Sequence, residues 1–180
     1  MQFLPGDLIF CHGSNWISRA IRWAAEHKGD ETPYANHVAG FISPTDIVEA
    51  LWHVTRNVYA ACGTGTSPNQ VWRNKSLTAE NRQAVAAQAL TYMGRDYGTG
   101  KIVLHLGDAL LTKAMGHEVY LFRRAANIDK YPICSWVWAE AYDKVLGLRF
   151  GLPPNEASPD DMQNYVKASP EWEMIYEVSP

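Results

Sequence analysis

Several things that would point to a specialised protein are scarce here. No segment approaches the ~18 consecutive apolar residues of a membrane-spanning helix, so a transmembrane chain is not expected. The opening residues Met1 to Asp7 lack the basic start and apolar stretch of a cleaved leader, and a cytoplasmic location is the expectation. Basic runs are absent too: 16 Lys and Arg are scattered against 19 Asp and Glu, for a net charge of −3. Such a surface offers no electrostatic footprint for a polyanion, which argues against nucleic acid as partner. Cysteine is limited to Cys11, Cys62 and Cys134, which cannot all pair within one chain; a reducing compartment would leave all three as thiols. Neither an internal repeat, a low-complexity tract nor a long linker interrupts the chain.

What is present fits one folded domain over residues 1–180, with 47% hydrophobic and 19% charged residues and 21 aromatic side chains (seven Trp, nine Tyr, five Phe). Pro5-Gly6 is a turn signal before a short buried strand, Asp7 to Phe10. Between Ser14 and His27, Trp16, Ile17, Ala20, Ile21 and Ala24 fall on one stripe, which predicts an amphipathic helix. Val38 to Ile42 and Ile47 to Leu51, separated by Ser-Pro-Thr-Asp, predict an antiparallel hairpin. Val54 to Tyr59 and Val71 to Arg73 allow further strands, with the Gly63 to Asn69 cluster between them as a loop. Thr78 is placed to cap a helix running to about Met93 and stopped by Gly94. Lys101 to Arg124 is apolar but broken by Gly107 and Gly116, and is read as helical pieces. Cys134, Val137, Trp138, Ala141, Val145 and Leu148 then mark a well-defined helix ending near Gly147, with Glu140 and Lys144 as a surface pair. After a polar stretch from Pro159, Trp172 to Glu177 predicts a last strand. The fold class is α+β: a small antiparallel sheet of about five or six strands packed against helices.

Three residues stand out chemically. A thiol acts as a nucleophile only as thiolate, and Cys134 lies in the opening turn of a predicted helix, where unpaired N–H groups and the helix dipole favour negative charge. The same stripe equally suits a buried core cysteine. His37 sits between a loop and an apolar strand, where an imidazole can occupy the mouth of a cleft. Glu49 interrupts an otherwise apolar strand, and a buried carboxylate there needs a donating partner. If the hairpin forms, His37 and Glu49 come near its open end, the arrangement by which a carboxylate orients a catalytic histidine. A solvent-facing Glu49 and an ordinary loop His37 fit the spacing as well. Cys11-His12 lacks a second ligand pair, so no zinc site is expected. Cys62 reads as an idle loop thiol, His53, His105 and His117 have no obvious partner, and Gly63-Thr64-Gly65 lacks the lysine and helix of a phosphate loop.

Taken in order, Gly6-Asp7-Leu8-Ile9-Phe10, Ser18-Arg19-Ala20-Ile21-Arg22-Trp23, Asn36-His37-Val38-Ala39-Gly40-Phe41, Val48-Glu49-Ala50, Cys134-Ser135 and Ser158-Pro159-Asp160-Asp161 resemble the circularly permuted, YiiX-like branch of the NlpC/P60 superfamily. In that branch the fold is papain-like and the histidine precedes the cysteine, so the nucleophile helix is C-terminal. The resemblance implies a cysteine peptidase or amidase with Cys134 as nucleophile, His37 as base and Glu49 as the third member of a triad. No cofactor and no metal are expected. Its substrate would be a peptide or amide, such as a cell-wall peptide, cleaved through a thioester. Two other readings stay open: a lipid acyl hydrolase or acyltransferase, with the apolar stretch Ile102 to Met115 as a greasy lid, and an inactive binding module. Residues 101–129 are longer and more apolar than the family pattern and read as a variable insertion.

Overall fold

The computed structural model describes residues 2–12, 34–96, 111, 115 and 134–179. The predicted helix between Ser14 and His27 and the apolar stretch 101–129, apart from Leu111 and Met115, lie outside them.

Six strands form one sheet: β1 (Leu8–Cys11), β2 (His37–Phe41), β3 (Asp46–Ala50), β4 (Val54–Val58), β5 (Asn69–Asn74) and β6 (Trp172–Val178). Their spatial order is β4-β3-β2-β1-β5-β6, and every pairing is antiparallel. Strand alternation divides the apolar residues between two faces. Leu8, Phe10, Val38, Val48 and Ala50 pack with the helices in the larger core. Ile9, Cys11, Ala39, Phe41, Ile47 and Val71 form a smaller cluster on the opposite face, closed by Tyr59 and Phe3. Each fully buried large apolar side chain contributes about 1.5–3 kcal/mol, which makes both faces hold the hairpin in one register.

The described residues include three helices longer than one turn: α2 (Ala79–Leu90), α3 (Cys134–Leu146) and α4 (Pro159–Ala168). A one-turn helix, α1 (Gly63–Thr66), precedes β5. Helix α3 carries the indole of Trp138 onto β2 and β3, where its Nε1 donates to the carbonyl of Val48 at 3.0 Å. Gly40 makes that approach feasible, because a Cβ there would lie 2.5 Å from the indole. At the far end of α3, Gly147 takes the left-handed conformation that closes a helix (φ +65°). Asp7, fully buried at the entrance to β1, is gripped by Arg73 (Nη2 to Oδ2, 2.5 Å) and Arg82 (Nη1 to Oδ1, 3.3 Å) and pins β1, β5 and α2 together.

Four expectations change. The helix capped by Thr78 ends at Leu90 instead of Met93, because the amides of Tyr92 and Met93 turn back to Ala89 and Leu90 before Gly94. The Gly63 to Asn69 cluster is not a plain loop: it begins with α1, preceded by a 3-10 turn (Tyr59–Ala61), and ends at the first residue of β5. The stretch from Pro159 is helical, with Ser158 and Asp161 forming a capping box and Pro159 in the first turn. Lastly, the strand expected at Val71 to Arg73 extends to Asn69–Asn74.

Candidate active site

His37 is the first residue of β2, and Glu49 lies on β3 directly opposite Ala39. His37 and Glu49 are therefore diagonal neighbours on the same face of the hairpin, within reach of long side chains. The imidazole Nε2 donates to Glu49 Oε2 at 3.0 Å. Helix α3 starts where β2 starts, so its first residue, Cys134, reaches the same imidazole and hydrogen bonds with it. With Nε2 engaged by Glu49, Nδ1 is the nitrogen left to face the thiol. Cys134 is 5% exposed and Glu49 1%, whereas His37 keeps 16% of its side chain accessible. The site thus opens to solvent at the imidazole, while the two acids beside it lie in the protein.

Electrostatics follow from this sandwich. Burial favours a neutral ring on His37, but hydrogen bonds and charge from Cys134 and Glu49 outweigh it and push the imidazole up to about 10. Burial would likewise protonate Glu49; donors from His37, Thr64 and Asn57 win instead and hold its carboxyl below the usual range. The arrangement can carry a proton on the ring at neutral pH, between two groups that gain from a positive neighbour.

Sequence reasoning did not find Thr64 or Asn57. Thr64, buried in α1, donates its hydroxyl to Glu49 Oε2, and Asn57 on β4 donates Nδ2 to Oε1 at 2.8 Å. A usable signal existed: a carboxylate on a buried strand needs several donors, and the alternating Thr55 and Asn57 of the next strand lie opposite Glu49 and Ile47.

The other candidates have ordinary partners. Cys11 is buried in β1, where burial raises its thiol well above the ordinary value. His12 Nδ1 meets the carbonyl of Tyr34 at 3.0 Å. Cys62, read as idle, donates its thiol to the carbonyl of Tyr59 at 3.4 Å. His53, which had no evident partner in the sequence, pairs on the surface with Asp96 at 3.0 Å, brought to it by the turn after α2. His105 and His117 lie outside the described residues. All three cysteines are free thiols.

Among the described residues no three His, Cys, Asp or Glu side chains are grouped so as to hold a metal ion. Nor is any helix among the described residues long and apolar enough to cross a membrane.

No protein-family model and no curated protein matches the chain. Among solved structures, the metalloprotein yiiX from Escherichia coli O157:H7, a DUF1105 protein, superposes with a TM-score of 0.67 at 18% identity, covering 100% of both chains. At that identity the likeness carries the fold alone: an α+β fold, which among the described residues is a six-stranded antiparallel sheet packed against helices.

Proposed function

We propose that the chain is a cysteine hydrolase of the permuted NlpC/P60 kind, cleaving an amide or peptide bond with Cys134 as nucleophile, His37 as acid and base, and Glu49 as the orienting carboxylate. The single observation that supports this most is the imidazole held between a thiol at a helix start and a buried carboxylate. An imidazolium beside it and the N-terminus of α3 both favour the thiolate.

In the proposed reaction the thiolate attacks the substrate carbonyl, and the carbonyl π pair moves to oxygen. Backbone N–H groups of the first turn of α3 receive that oxyanion. The carbon–nitrogen bond then breaks, His37 gives its proton to the departing amine, and a thioester remains on Cys134. Water attacks the thioester as His37 takes its proton, releasing a carboxylic acid and restoring the thiolate–imidazolium pair. Glu49 keeps the ring in one orientation and stabilises its positive form throughout.

Alkylation by iodoacetamide at neutral pH, read by peptide mass mapping, tests this. Cys134 should label faster than Cys11 and Cys62, and the preference should vanish in His37→Ala. Equal labelling of the three thiols in the wild type would refute the hydrolase and favour a binding module. Peptide-amide and fatty-ester substrates, compared between wild type and Cys134→Ala, then separate a peptidase or amidase from a lipid acyl hydrolase.

A further inference from the structure

The segment between β4 and β5 does more than connect two strands. Its one-turn helix α1 carries Thr64, 7% exposed, onto the carboxylate of Glu49. The segment is fastened from behind by Asn69, which is fully buried at the start of β5. Asn69 Nδ2 donates to the carbonyls of Thr64 (3.1 Å) and Ser67 (2.7 Å), and its Oδ1 accepts from the Tyr59 hydroxyl at 2.9 Å. On the other side of the carboxylate, Asn57 donates to Oε1 at 2.8 Å and is itself steadied by Thr55 Oγ1 at 3.3 Å.

We propose that Thr64 and Asn57 are positioning residues of this site, holding both oxygens of Glu49 so that one carboxylate orientation, ionised, meets His37. The inference rests on the hydrolase reading above and extends it to residues outside the Cys-His-Glu set. The physical need is plain. With His37 as sole donor, a buried carboxylate could rotate about its last torsion or take up a proton, and either change would weaken the imidazolium. Two further donors, one on each oxygen, remove both escapes. Among the described residues, the titratable groups that interact with Glu49 include His37 from β2, Cys11 from β1 and Cys62 from the turn before α1, and Cys134 from α3 interacts with the same imidazole. Only His37 among them favours the charged carboxylate; thiolates at the other three would oppose it.

The experiment compares wild type, Thr64→Val, Thr64→Ser and Asn57→Ala by two readouts: the titration midpoint of His37 followed by NMR of its ring nitrogens, and the pH profile of Cys134 alkylation. Thr64→Val keeps the shape and removes the hydroxyl; it should lower the His37 midpoint by about one unit, a tenfold change in the ring's protonation equilibrium. The Cys134 rate at neutral pH should fall several-fold. Thr64→Ser should restore both, and Asn57→Ala should shift both in the direction of Thr64→Val. A Thr64→Val protein with the wild-type His37 midpoint and Cys134 profile overturns the proposal. If Thr64→Val does not fold, Asn57→Ala, on the half-exposed side of β4, decides by the same readouts. Failure of the hydrolase reading looks different: wild-type Cys134 would label no faster than the other thiols, while the His37 titration would still report on Thr64 and Asn57.

Discussion

Replacing Gly40 by alanine tests how the helix is seated over the site. The added Cβ would stand 2.5, 2.6 and 2.8 Å from Cε2, Cζ2 and Cδ2 of the Trp138 indole. Carbon atoms rest at about 3.5–4.0 Å, so the ring must retreat by about 1 Å. Trp138 is fully buried, and its N–H donates to Val48 on the neighbouring strand at 3.0 Å, leaving little room to move without stretching that bond. Overpacking costs about 1–3 kcal/mol and the weakened hydrogen bond about 1 more, so the expected loss is about 2–4 kcal/mol. For a chain of this size that lowers the melting temperature by roughly 5–15 °C, measured by circular dichroism. Trp138 lies one turn after Cys134, so its displacement should also slow Cys134 alkylation. Gly63→Ala is the control, since no atom lies within 4 Å of the added carbon. A Gly40→Ala protein that melts within about 2 °C of wild type, with unchanged Cys134 reactivity, would refute the packing argument.

Two further outcomes are expected. His37 binds its proton more tightly folded, at about 10 against 6.5, so its contribution is complete below pH 6.5 and is lost as pH rises toward 10. Glu49, held low, contributes above its ordinary range and loses that contribution in acid. Urea unfolding between pH 7 and 10 should show stability falling by up to about 1.4 kcal/mol per unit, with a shallower slope in His37→Gln; equal slopes would contradict the site electrostatics. Asp7→Ala leaves Arg73 and Arg82 facing each other without their carboxylate and should cost about 3–5 kcal/mol. A denaturation midpoint equal to wild type would mean that the ion cluster does not anchor β1.

The sequence alone determined the local pieces, because they depend on neighbours a few residues apart. The hairpin was legible from two apolar runs around Ser-Pro-Thr-Asp, the start of α2 from Thr78, and α3 with its Gly147 stop from the spacing that begins at Cys134. The helix α4 was read only as a polar stretch, although Ser158-Pro159-Asp160-Asp161 carries a capping signature. Glu49 could be singled out because a charge on an apolar strand demands an explanation. Only the tertiary structure decided which groups answer that demand. Thr64 and Asn57 come from a one-turn helix and an adjacent strand, and their direction is set by Asn69, Tyr59 and the sheet register, all nonlocal. The sheet order, with β5 beside β1 and β6 at the edge, depends on which buried faces fit, a question of packing across many tens of residues. For the same reason the closeness of Cys134 to His37 is a tertiary fact: helix and strand begin at one point only because α3 must lay Trp138 over Gly40.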